Sequence, residues 1–174
     1  MAETGMPPPV PNPATLSYPV ATVTLPTGVE VIRTYSGAFI CLEIIFGGLV
    51  WILVAASNVP VPIVQGWVMF VSIMAFLGSI MYLCVFLCGL VNRIHTNWNF
   101  VDLAFHFLAF VFYFSAFVLE AAITSLSNQY RNGTESIFMD SRKIGLNVAA
   151  TIFAFTATTC YGCSMILGFR RWKP

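Results

Sequence analysis

Two stretches of this chain, residues 44–92 and 144–169, contain no Asp, Glu, Lys, Arg or His. A soluble domain is roughly one quarter charged, whereas this chain is 9% charged and 58% hydrophobic. Those charges are too few, and too far apart, to cover a water-facing surface. The chain therefore reads as a polytopic membrane protein. Its formal net charge of +1 argues against a nucleic-acid partner bound by phosphate neutralisation. The five cysteines, Cys41, Cys84, Cys88, Cys160 and Cys163, all fall in apolar stretches, so no disulfide framework is expected.

Four stretches come near or exceed the ~20 residues that a membrane helix needs: about 35–56, 63–91, 100–126 and 144–169. Pro60 and Pro62 mark the first break, and Arg93, His95 and Asn97 the second. Hydrocarbon requires paired backbone groups, so these runs are expected to be helices. Their short links predict an antiparallel four-transmembrane-helix bundle, all α, with the longest connection (some seventeen residues) between spans three and four. Residues 1–34 hold seven of the ten prolines and read as a disordered tail; residues 170–174 form a short basic tail.

With four spans, both ends lie on one side. Arg33, Arg93, Arg170, Arg171 and Lys173 fall there, against Arg131, Arg142 and Lys143 opposite. The excess predicts cytoplasmic termini. The sequon Asn132-Gly133-Thr134 lies in the opposite loop, which makes Asn132 a candidate glycosylation acceptor. Cys88 and Cys163, near the cytoplasmic helix ends, are candidate palmitoylation sites.

Polar residues inside spans are costly and need an account. Asp102, His106, Tyr113, Glu120 and Thr124 recur at 4, 7, 7 and 4 residues. At 100° per residue they fall within roughly 40° of one another, on one helix face. Glu43 lies on a similar stripe of span one, and Asn147, Thr151 and Thr158 on one of span four. Stripes of small and polar residues suit helix–helix contacts in lipid. The expected role of these groups is hydrogen bonding across the bundle, with His106 partnering Asp102. No basic residue lies within these spans to act as a counter-ion. The alternative is a small channel, or a proton- or ion-coupled transporter, that uses the same Glu, Asp and His stripe. No nucleophile elbow, zinc-protease helix or phosphate-binding loop is present, so neither catalysis nor a cofactor or metal site is expected.

Three strings carry a resemblance: residues 41–57 (CLEIIFGGLVWILVAAS), 65–72 (QGWVMFVS) and the terminal Arg170-Arg171-Trp172-Lys173. With Leu119-Glu120-Ala121 they resemble the MAL proteolipid family, of the four-span MARVEL class. The proline-rich start and residues 33–39 (RTYSGAF) are most similar to the family's transcytosis-associated epithelial branch. The resemblance implies a non-enzymatic component of glycolipid- and cholesterol-rich membrane that acts in vesicle traffic, apical transport or transcytosis. It implies residence in the apical plasma membrane, perinuclear endosomes and transport vesicles. Sterol and sphingolipid are the expected partners, with cytoplasmic trafficking adaptors and a homo-oligomer as further candidates.

Overall fold

The computed structural model describes residues 25–57, 62–94, 96–132 and 141–173. The proline-rich tail through residue 24, residues 58–61, His95, and the sequon residues Gly133 and Thr134 lie outside this description. Four long helices dominate: α1 Tyr35–Ala56, α2 Pro62–Leu87, α3 Trp98–Asn132 and α4 Ser141–Trp172. All four are long and apolar enough to cross a membrane, and only 33–39% of each apolar window is buried inside the protein. The rest is half-buried or exposed, and the exposed Ile, Leu, Phe and Met side chains face outward, where hydrocarbon is the medium that they suit.

Local chemistry sets the helix ends. Thr34 caps α1 by accepting a hydrogen bond from the Gly37 amide at 3.0 Å, and its hydroxyl donates to the Val31 carbonyl at 2.6 Å. That cap joins α1 to a 3-10 turn, Gly28–Arg33. Val31 is fully buried and Leu25 nearly so, packed with Ile40, Tyr82, Phe86 and Val91 over the terminal end of the bundle. The last ten residues of the expected disordered tail are thus folded onto the helices. An alanine at Gly37 would place its Cβ 2.0 Å from the Val31 carbonyl oxygen, so only glycine allows this approach.

Three of the helices also end or begin away from the sequence expectation. Helix α2 stops at Leu87 rather than near Val91, because Gly89 adopts a left-handed conformation (φ 66°) that ends the helix. Helix α3 begins at Trp98 and continues past the apolar limit to Asn132, while α4 begins three residues early at Ser141 and extends to Trp172. The connection between them shrinks accordingly to residues 133–140. Hydropathy marks where hydrocarbon ends; the hydrogen-bond ladder of a helix continues into polar residues beyond it.

The helices form a ring in which α1 packs on α2 and α4, and α3 packs on α4 and, more lightly, on α2. The interior is built from small residues, with Ala109, Ala116, Ala150, Ala154 and Ala157 interleaved with valines and with Tyr113 and Tyr161. Lipid gives no hydrophobic reason for helices to associate, so close approach of small residues carries the packing. Phe105 lies over Gly78 at a distance that any Cβ there would reduce to 2.7 Å.

Candidate functional site: an intramembrane polar core

The polar stripes turn inward and meet in two clusters. The larger lies toward the termini. Asp102, near the start of α3, accepts from the Tyr82 hydroxyl of α2 at 2.6 Å and is ion-paired with the Arg171 guanidinium of α4. Arg171 also donates to Ser36 of α1 at 2.6 Å. One turn deeper, His106 Nδ1 lies 2.8 Å from the Asp102 carbonyl oxygen and 3.1 Å from its Oδ1, two acceptors that assign the Nδ1 proton. The opposite ring nitrogen, Nε2, lies 3.6 Å from Glu43 Oε2 of α1, beyond hydrogen-bond range. Glu43 accepts from Ser79 of α2 at 3.2 Å and from Ser164 of α4 at 2.5 Å. The Tyr161 hydroxyl, 2.9 Å from Ser79, completes the chain as donor once Ser79 donates to Glu43. Residues from all four helices thus converge on two acids, Glu43 and Asp102, which are 0% and 2% exposed.

Arg171 corrects the expectation that the spans hold no counter-ion. It belongs to α4 rather than to a tail, and its side chain reaches back to Asp102 instead of outward to water. Long basic side chains at helix ends commonly span such distances. Gly168 permits the contact: a Cβ at that position would lie 2.8 Å from Asp102 Oδ2.

The second cluster lies toward the interhelical loops. Gln65 Nε2 of α2 donates to Asn147 Oδ1 of α4 at 3.4 Å, and Thr124 of α3 lies 3.1 Å from the Thr151 hydroxyl, which donates to the Asn147 carbonyl. Glu120 is fully buried in this half with Gln65 as its polar neighbour, yet among the described residues no group meets either carboxyl oxygen at hydrogen-bond geometry. Tyr113 lies between the clusters, stacked on Tyr161 with ring centroids 5.4 Å apart, and among the described residues nothing meets its hydroxyl at hydrogen-bond geometry. Thr158 is buried, but its hydroxyl donates within its own helix, to the Ala154 carbonyl. Of the remaining candidates, Cys88 is exposed just past the end of α2 and Cys163 is half-buried on α4. Asn132 is the last residue of α3. Among the described residues, no three His, Cys, Asp or Glu side chains gather as metal ligands would.

Sequence reasoning missed Tyr82, Ser79, Ser164, Tyr161 and Gln65. A periodicity was present: Gln65, Ser72 and Ser79 recur every seven residues along α2, and all three are buried.

Four helices long enough to cross a membrane, closed around an inward-facing polar core, define a polytopic membrane protein. The family model MARVEL, a membrane-associating domain, matches residues 31–167. Human myelin and lymphocyte protein is 40% identical over 153 residues, covering 86% of this chain and 92% of the relative. The dog protein of the same name is 37% identical over 150 residues, with the same coverage. MARVEL domain-containing protein 1 of Xenopus laevis is 30% identical over 143 residues, covering 82% of this chain and 78% of the relative. No solved structure matches. The chain belongs to the MAL proteolipid family of MARVEL-domain membrane proteins.

Proposed function

We propose that this protein organises sterol- and sphingolipid-rich membrane and serves vesicle traffic, in apical transport or transcytosis, without catalysing a reaction. The observation that carries this reading is how the polar groups are spent. Glu43, Asp102, Ser79, Ser164 and Arg171 are engaged with one another, which leaves an outer wall of Ile, Leu, Phe and Met side chains. What such a molecule presents to its surroundings within the membrane is a lipid-facing surface. Helix length supports the same reading. The 26 residues of α2 span ~39 Å, against ~30 Å for an average hydrocarbon core. Interfacial residues and tilt absorb part of that excess, and the rest favours thicker, ordered bilayers. In this reading both termini are cytoplasmic, the 133–140 connection is lumenal, and the protein cycles between the apical surface, perinuclear endosomes and vesicles.

Depleting the protein from polarised epithelial cells and following a basolaterally labelled cargo tests the proposal. Slowed arrival at the apical surface, restored by the re-expressed chain, is the expected result. Unchanged transfer would overturn it. The second reading, proton-coupled transport, draws on the His106–Glu43 approach at 3.6 Å. A proton flux through proteoliposomes that Glu43→Gln abolishes would favour it instead.

A further inference from the structure

At the terminal ends of α3 and α4 an apolar groove of about 490 Å³ opens on the outer surface of the bundle. Phe100, Leu103, Ala104 and Phe107 form one wall, and Met165, Ile166 and Phe169 the other. The two walls belong to helices that approach closely at Gly168, where an added Cβ would lie 3.5 Å from the Leu103 backbone. Phe100 to Phe107 covers seven residues of helix, or ~10 Å, within the ~15 Å that one leaflet contributes to the hydrocarbon core. The groove thus lies at the depth of the upper part of an acyl chain.

Charge lies directly above it. Arg170 follows Ile166 by four residues, on the face of α4 that forms the groove wall, and Lys173 comes three residues later, just past the end of the helix; both are exposed. Neither has an ion-pair partner among the described residues. The described acids on this side are already engaged, Asp102 by Arg171, Glu30 by Arg33 and the buried Glu43 by Ser79 and Ser164. Trp172, exposed and in contact with Phe169 at 6.3 Å between ring centroids, flanks the mouth. Two unpaired cations over an apolar slot complement a single amphiphile that carries a negative head and a hydrocarbon chain. A sterol would fill the slot but would leave both cations unanswered.

We infer that the α3–α4 groove is a binding site for an anionic phospholipid, with an acyl chain against Phe100, Phe107 and Phe169 and the headgroup held by Arg170 and Lys173. The site selects headgroup charge, which is a property separate from bilayer thickness. It therefore stands or falls independently of the trafficking role.

The experiment uses the full chain reconstituted in phosphatidylcholine bilayers, with chain-spin-labelled phosphatidylserine or phosphatidylcholine as probe. The fraction of label immobilised by the protein gives the relative association of the two lipids. Phosphatidylserine is expected to be preferred, and each cation removed should lower the preference about fivefold at low salt. Arg170→Gln with Lys173→Gln should bring it near unity. Ala104→Trp, which fills the slot, should reduce the immobilised phosphatidylserine, with Ile166→Trp at the exposed wall as a second filling variant should the first fail to fold. Equal association of both lipids with the unaltered chain would overturn the inference. So would a preference that survives removal of both cations, or one that folded groove-filling variants leave intact, since the latter would assign it to surface charge alone.

Discussion

Glu43 and Glu120 are both wholly buried acids on inward-facing stripes, but their surroundings differ. Glu43 accepts two hydroxyl hydrogen bonds and faces His106, whereas among the described residues Glu120 has no partner at hydrogen-bond geometry. The two should therefore respond differently to the same substitution. Glu43→Leu strands the Ser79 and Ser164 hydroxyls, at roughly 1–2 kcal/mol or less for each interhelical bond in lipid. It is expected to lower the thermal unfolding midpoint in detergent, while Glu43→Gln keeps an acceptor and retains most of the stability. Glu120→Leu removes an unsatisfied buried group of similar size, so the midpoint should hold or rise. Equal losses at both positions would contradict this account. Helical phase was enough to place both acids on the inward face. It could not show which acid a partner reaches, because that depends on side chains from three other helices.

At the scale of elements, the tie between α3 and α4 is the Asp102–Arg171 pair. Removing one partner of a buried pair leaves the other charge uncompensated, at typically 3–5 kcal/mol. The 15% exposure of the Arg171 side chain should reduce that cost. Asp102→Asn or Arg171→Gln alone should destabilise the bundle, and the double variant should be more stable than the sum of the single losses predicts. Strict additivity in thermal unfolding would show that the pair is not coupled. Gly37→Ala offers a second test, because its Cβ would overlap the Val31 carbonyl. It should lift the Gly28–Arg33 turn from the helix ends and speed proteolysis there, leaving the four helices intact. If cleavage is unchanged, the turn is not held by that approach. The existence of four helices was legible because charge-free runs of that length have few other solutions. Their ends were less so. Gly89 stops α2 inside an apolar run, and α4 carries Arg171 past the point where hydropathy falls, so local backbone geometry decided what composition could not.

For the whole molecule, the inward polar core and outward apolar wall separate two jobs: the core fixes how the helices sit, and the wall meets lipid. The proposed topology rests on the excess of basic residues at the terminal end of the bundle. With cytoplasmic termini, an N-terminal tag in sealed secretory vesicles should be digested by added protease; a protected tag would reverse the orientation. The most direct test of the central claim is the partitioning of the labelled, purified chain in giant vesicles that separate into ordered and disordered phases. The account predicts enrichment in the thicker, sterol-rich ordered phase, retained in Glu43→Gln, because lipid contact rather than core chemistry sets the preference. Exclusion of the folded protein from the ordered phase would contradict it.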